Sequence, residues 1–313
     1  MKVSFIVPTK NKAKDVERAA NSYLRQTYSP MEIVFFDQAS TDGTLEILQD
    51  LAGKYDGPNT VRILNCPPHQ GGAAGMNADI KWVHDQIEGD VILWGNSDDF
   101  AYSTRTAKTV KVFEEHNPSW VSCCQFFMDE KLVIQGETQI PNKKDRKVEF
   151  AEAVRFQIGS SGALAYARDL WEKHGPMRGI EQNDIVLPLM SFLERGMWFI
   201  AEPLHTYVFH ASPDNQGIGG RLLAASSESE KMQLEETNAF NLVSNWISVI
   251  KRLEETGAIQ ADVSAELNQR LWGCAQAWEA ARRALTLANI RPLGLHMKAE
   301  ENTAAGLKVS VQA

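Results

Sequence analysis

Four polar clusters carry most of the side chains that could do chemistry in this 313-residue chain. They are Val7-Pro8-Thr9-Lys10-Asn11, Phe36-Asp37-Gln38-Ala39-Ser40-Thr41-Asp42-Gly43-Thr44, His69-Gln70-Gly71-Gly72-Ala73-Ala74-Gly75-Met76-Asn77 and Gly95-Asn96-Ser97-Asp98-Asp99. Each follows a short apolar run that reads as a strand: Val3–Val7, Glu32–Phe36, Val61–Leu64 and Val91–Trp94. Parallel strands would bring all four clusters to one sheet edge, where ligands of such sheets bind. Carboxylates, amides and glycines gathered there are what a nucleotide site needs. The fixed-spacing nucleotide fingerprints are missing: no G-x-G-x-x-G follows the first strand, and no G-x-x-x-x-G-K-[ST] occurs.

The elements that must position these clusters follow from periodicity. Val16, Ala19, Ala20, Tyr23 and Leu24 keep the spacing of one helical stripe, as do Leu45, Leu48 and Leu51, and then Met76, Ile80, Val83 and Ile87. Strand–helix–strand units of about thirty residues imply a parallel sheet covered on both faces. From about residue 100 to 220 the pattern is looser. It predicts a helix over 104–116, strands near 120–127 and 132–135, a helix near 184–195, and strands at Met197–Ala201 and Thr206–Phe209. This second half is expected to be a mixed sheet sharing the first half's core. Two amphipathic helices joined through Gly257 then carry Trp246, Ile250, Leu271 and Trp278, and the tail after Pro292 shows no pattern. The expected division is residues 1–220, a helical extension over 221–290 packed on it, and a tail over 291–313.

Composition excludes several classes. Apolar residues at 43% and charged residues at 23% fit a folded chain with a substantial core and not a disordered one. A net charge of −8 argues against general nucleic-acid coating. No run reaches the ~18–20 apolar residues of a membrane span. Cys66, Cys123, Cys124 and Cys274 lack metal-ligand spacing and read as reduced thiols of a cytoplasmic protein.

The ordered set V-S-F-I-V-P-T-K-N, E-I-V-F-F-D-Q-A-S-T-D-G-T, G-G-A-A-G-M-N and N-S-D-D resembles the inverting family 2 glycosyltransferases of GT-A fold. The match covers residues 3–99 and continues more weakly to about 212. It implies an α/β GT-A sheet with helices on both faces, a nucleotide-diphosphate sugar donor, UDP-linked in the first instance, and Mn²⁺ or Mg²⁺. By this resemblance Pro8 and Thr9 line base and ribose, with Asn11 beside them, and Asp37 accepts a hydrogen bond from the base. A turn aspartate capping the next helix would occupy the same place. Gln38 and Ala39 replace the usual Asp and Gly, and Asn96 the usual Asp. Gly71, Gly72, Asn77, Asn96, Ser97 and Asp98 fall to the donor, while Asp99 and His210 fall to the metal. Adjacent carboxylates at a strand end can hold a cation that bridges two phosphates.

Inversion also needs a base for the attacking hydroxyl. Relatives carry an acidic segment opening a helix, matched here by Glu181-Gln182-Asn183-Asp184; Asp184 is favoured and Glu181 is the alternative. Glu202-Pro203-Leu204-His205-Thr206-Tyr207-Val208-Phe209-His210 resembles the family's E-P-L-x-x-Y-R-x-H, with Val208 in place of Arg; His205 has no counterpart and reads as a surface or packing residue. Residues 212–220 read as a candidate lid. The acceptor class implied is a glycan or surface polysaccharide, with modified DNA bases as a second class and a non-catalytic sugar-nucleotide module as the alternative to an enzyme. The C-terminal helices are a candidate surface for homo-oligomer formation.

Overall fold

The computed structural model describes residues 1–67, 73–138, 143–156, 158, 162–179, 181–210, 221–222, 224–257, 261–290, 296–299 and 309–312. Its first hundred residues build the parallel half of one sheet. Strands β1 (Val3–Thr9), β2 (Glu32–Asp37), β3 (Thr60–Asn65) and β4 (Val91–Trp94) alternate with helices α1 (Val16–Leu24), α2 (Thr44–Lys54) and α3 (Ala73–His84). β1 lies between β2 and β4, and β3 pairs with the far side of β2, all in parallel. β1 is buried at every position, as a central strand covered on both faces must be. β3 sits at the sheet's edge, mixes Arg62 among its apolar residues and is only half-buried. Phe5, Val7, Tyr23, Phe35, Leu48 and Leu93 belong to one continuous core that joins these strands to α1 and α2.

Past β4 the chain adds β5 (Phe100–Ala101), α4 (Arg105–His116), β6 (Trp120–Met128), β7 (Ile134–Glu137), β8 (Arg146–Val148) and α5 (Phe150–Phe156). It continues through β9 (Leu164–Ala167), α6 (Arg168–His174), α7 (Asn183–Met190) and β10 (Met197–Val208). β9 runs antiparallel between β4 and β6, so a single sheet has the order β3-β2-β1-β4-β9-β6-β10-β5, with β7 on β6 and β8 on β10. The two strands expected at 197–201 and 206–209 are one. Pro203 has no N–H to give the ladder, and the register with β6 slips on either side of it without ending the strand.

Two long helices follow, α8 (Glu228–Glu255) and α9 (Ala261–Ile290), on either side of Gly257, whose φ of +67° is left-handed. The chain groups into two compact units, residues 1–210 with 244–270, and 211–243 with 271–313. Two of these limits, after 243 and after 270, fall inside α8 and α9. In the first unit Asn245, Trp246, Val249 and Leu253 of α8 are buried. In the second, Phe240 packs against Trp278 at 5.5 Å, and the Trp278 indole donates to Glu236 at 2.7 Å. Two short strands, β11 (His296–Ala299) and β12 (Val309–Gln312), pair antiparallel in the segment expected to be patternless. No helix among the described residues is long and apolar enough to cross a membrane.

Candidate active site

The loops leaving β1 and β2 are stitched together. Asp37, beside Thr9 in the ladder, accepts the Ser40 N–H at 2.9 Å and the Ser40 hydroxyl at 2.5 Å. Ser40 Oγ in turn accepts the Asn11 N–H at 2.9 Å, and Asn11 Oδ1 accepts the Thr41 N–H at 2.9 Å. Asn11 and Ala39 hold the left-handed positions of these turns, with φ of 49° and 59°. Pro8, Thr9, Asn11 and Asp37 thus share one edge, but Asp37 is 2% exposed and orders its own turn. Gln38 has a visible reason to differ from the family's Asp. Its amide donates to Asp79 of α3 at 2.5 Å, where a carboxylate would meet like charge.

Asp98 and Asp99 point different ways. Asp99 is fully buried and accepts the Val208 N–H at 2.8 Å and the Asn96 amide at 2.7 Å, and His205 Nε2 lies 3.8 Å away. Burial first, and the Asp98 charge second, hold the Asp99 carboxyl well above the usual carboxylate range. Burial also holds the His205 imidazole well below its ordinary value, so it is neutral. Asp98 is half-buried and meets Lys12 Nζ at 2.6 Å, and its backbone carbonyl accepts from Arg18 at 2.8 Å. Arg18 also pairs with Asp15 at 3.0 Å, and His210 Nδ1 lies 3.9 Å from the other Asp15 oxygen.

Asp99 and His210, which the resemblance gives to the metal, each have a protein partner here. Asp99 is bound inward by the backbone of β10, and His210 is turned to Asp15. Among the described residues no group of three or more His, Cys, Asp or Glu side chains is placed to hold a metal ion. Asn96 bridges Asp99 and the Trp94 indole, and Ser97 is buried. Asn77, expected at the donor, donates instead to the carbonyls of Gly179 (3.1 Å) and Glu181 (2.8 Å). Gly71 and Gly72 and the candidate lid lie outside the described residues.

The two candidate bases separate as clearly. Glu181 is 6% exposed and accepts from Arg252 Nη2 (2.6 Å) and Nε (3.2 Å), from Ser248 Oγ and from the Arg178 N–H (2.7 Å). Burial alone would raise its carboxyl, but these bonds outweigh it and hold it below the ordinary value. Asp184 stands in the first turn of α7, half-buried, and burial pushes it up to about 6, offset in part by its own backbone amide. A carboxylate poised there can take a proton near neutral pH.

The fold is matched by known proteins. Residues 4–174 match the model of the Glycosyl transferase family 2. The chain is a family 2 glycosyltransferase. An uncharacterized glycosyltransferase of Nostoc is 28% identical over 246 residues, 74% of this chain and 70% of that protein. Among solved structures, Staphylococcus aureus TarS, residues 1–349 with UDP-GlcNAc, superposes with a TM-score of 0.56 at 17% identity, covering 94% of this chain and 86% of that one. The Pyrobaculum calidifontis mannosyltransferase PcManGT with GDP-Man and Mn²⁺ gives 0.55 at 18%, covering 93% and 79%. These likenesses show the GT-A fold.

In this glycosyltransferase the sequence reading missed Tyr207 as a site residue, although it stands in the quoted E-P-L motif. Burial first, then the charges of Asp99, Asp98 and Asp184, hold its phenol above the ordinary value. The Tyr207 hydroxyl thus lies within electrostatic range of Asp98, Asp99 and Asp184. Arg252 was missed as well, because its helix reads only as an apolar stripe.

Proposed function

We propose that this glycosyltransferase moves a sugar from a nucleotide-diphosphate donor, UDP-linked in the first instance, to an acceptor hydroxyl with inversion, and that Asp184 is the general base. The observation that carries the reading is the placement of Asp184, half-buried in the first turn of α7 with no side-chain partner among the described residues, where burial raises it to about 6. The acceptor oxygen would attack the anomeric carbon, its proton would pass to the Asp184 carboxylate, and the bond to the diphosphate would break with its electrons leaving on the nucleoside diphosphate. Lys12 and Arg18, at the strand edge beside Asp98, supply positive charge near the departing group.

TarS was solved with UDP-GlcNAc and PcManGT with GDP-Man, so the fold accommodates either base. Asp37 supports uracil by the resemblance alone. The resemblance also implies Mn²⁺ or Mg²⁺. Asp98 is the carboxylate of the pair that could meet it, and Lys12 already neutralises that charge, so no step of this reading runs through a metal. The acceptor assigned is a glycan or surface polysaccharide, in keeping with the name of TarS, a poly(ribitol-phosphate) beta-N-acetylglucosaminyltransferase. A cytoplasmic location accords with four free thiols.

A thermal-shift screen of UDP, UDP-glucose, UDP-N-acetylglucosamine and GDP-mannose, each in EDTA and in Mn²⁺, tests the donor, since a ligand that binds only the folded chain raises its melting temperature. The expected result is stabilisation by one nucleoside diphosphate and slow release of that diphosphate from its sugar. Stabilisation without release would leave a binding module, and no response to any of the four would overturn the reading.

A further inference from the structure

The helix α8 has a polar face that its apolar stripe conceals. Asn245, Ser248 and Arg252 recur at spacings of three and four, so they lie on one side of the helix. All three grip the two residues that precede α7. Asn245, fully buried, accepts the Gln182 N–H at 2.7 Å and donates to Gln182 Oε1 at 3.2 Å. Ser248 donates to Glu181 Oε1. Arg252, 8% exposed, reaches both Glu181 oxygens and adds the His174 carbonyl at 2.7 Å. From α3, Asn77 holds the carbonyls of Gly179 and Glu181.

We infer that Arg252, with Asn245 beside it, is a positioning residue for glycosyl transfer, clamping Glu181 and Gln182 so that the first turn of α7 holds Asp184 in place. Glu181 is then an anchor, not a base. A two-oxygen guanidinium–carboxylate pair fixes direction as well as distance, which a single contact does not. Asp184 lies three residues beyond Glu181, so a rotation of the anchored residues would carry its carboxylate away from the reacting atoms. Displacements of about 1 Å at such a group can cost about 10²-fold in rate. The inference rests on Asp184 being the base.

The test compares the full chain with Asp184→Asn, Arg252→Lys and the double variant Glu181→Gln/Arg252→Met, which removes both charges and so leaves neither ion buried alone. Two readings are taken: the titration of Asp184, followed by NMR on carboxyl-labelled aspartate and assigned by its loss in Asp184→Asn, and the release of UDP from UDP-N-acetylglucosamine beside UDP affinity. The double variant is expected to lower the Asp184 midpoint from about 6 toward the ordinary carboxylate value. It should also slow release by ~10–100-fold with UDP affinity unchanged. Arg252→Lys, which keeps the charge but not the two-oxygen grip, should fall between. An unmoved midpoint and unchanged release in a folded double variant overturn the clamp, and if that variant does not fold, Arg252→Lys is read by the same criteria. Collapse of Asp184→Asn beside an unaffected double variant overturns the clamp alone. Normal release by Asp184→Asn overturns the base reading and the catalytic role of Arg252 with it.

Discussion

The acids at the ends of the parallel strands and the acid in the first turn of α7 differ in how their oxygens are held. At the strand ends Asp37 orders a turn, Asp98 pairs with Lys12, and Asp99 is bound by the Val208 N–H and the Asn96 amide. Before α7, Glu181 is saturated by Arg252, Ser248 and Arg178, while Asp184, in the helix's first turn, is raised by burial and among the described residues has its own amide alone to offset it. An acid whose oxygens are satisfied holds the fold. An acid desolvated without a partner keeps its proton affinity free for chemistry. On this contrast motif membership does not assign a role, because Asp99 sits in a motif of the resemblance and is the most enclosed of these groups.

The largest effect expected from the contrast is at Asp184. Asp184→Asn keeps the side-chain shape but cannot accept a proton, so turnover should fall by ~10²–10⁴ while donor affinity measured by titration stays close to the parent's. An equal loss of affinity would mean that Asp184 binds substrate and does not act as the base.

Asp99 sharpens the other side. Its raised carboxyl favours the protonated form, which an asparagine amide imitates in shape and neutrality. Asp99→Asn keeps one acceptor for the Val208 N–H but turns an amide N–H toward the Asn96 amide, so it should lose about 1–2 kcal/mol in urea, whereas Asp99→Ala, which strands both donors, should lose about 2–4 kcal/mol. A well-folded Asp99→Asn that loses a Mn²⁺-dependent gain in UDP affinity would return Asp99 to the metal.

The pH profile carries the same comparison into kinetics. A base must be deprotonated, so kcat/KM should rise with pH and level off above about 6, the value to which burial pushes Asp184. The linked effect on stability has a fixed sign. Asp184 binds its proton more tightly folded than unfolded, so its contribution to stability is complete below the ordinary carboxylate value and is lost as pH rises through about 6. Asp184→Asn should remove that loss, visible as a flatter dependence of the urea midpoint between pH 4 and 7. A limb near pH 4 with no change in the midpoint would place Asp184 in solvent.

How much of this the sequence carried depends on the distance over which each feature is set. The strand–helix alternation through β4 was legible because period and turn residues act within a few positions, and the clusters after β1, β2 and β4 leave one sheet edge as parallel strands require. The continuity of β10 was not, since Pro203 looks like a strand end and only pairing with β6 carries the strand past it. The inward turn of Asp99 is decided by the amide of Val208, and the anchoring of Glu181 by Arg252. Neither partner has a spacing signature. Gln38 was legible as a departure, while its reason, Asp79, lies on the next helix.

The smallest effect expected is at Lys12, and it bears on whether charge at the strand edge comes from the protein or from a cation. Lys12 Nζ sits 2.6 Å from Asp98, both partners partly screened from water. In the parent chain the Asp98 charge is therefore cancelled before a diphosphate arrives. Lys12→Met leaves that carboxylate facing the phosphates as a like charge. UDP affinity in EDTA should fall about tenfold, the equivalent of ~1.4 kcal/mol, and the melting temperature should fall too, because both side chains are mostly screened and Asp98 is left unpaired. Mn²⁺ should then recover more affinity in the variant than in the parent, since Asp98 is free to meet it. Equal Mn²⁺ responses in both proteins would show that the cation is held without Asp98. A strong Mn²⁺ requirement already present in the parent would show that Lys12 yields to the metal when donor binds, and the contrast between tied and untied acids would then hold only for the empty site.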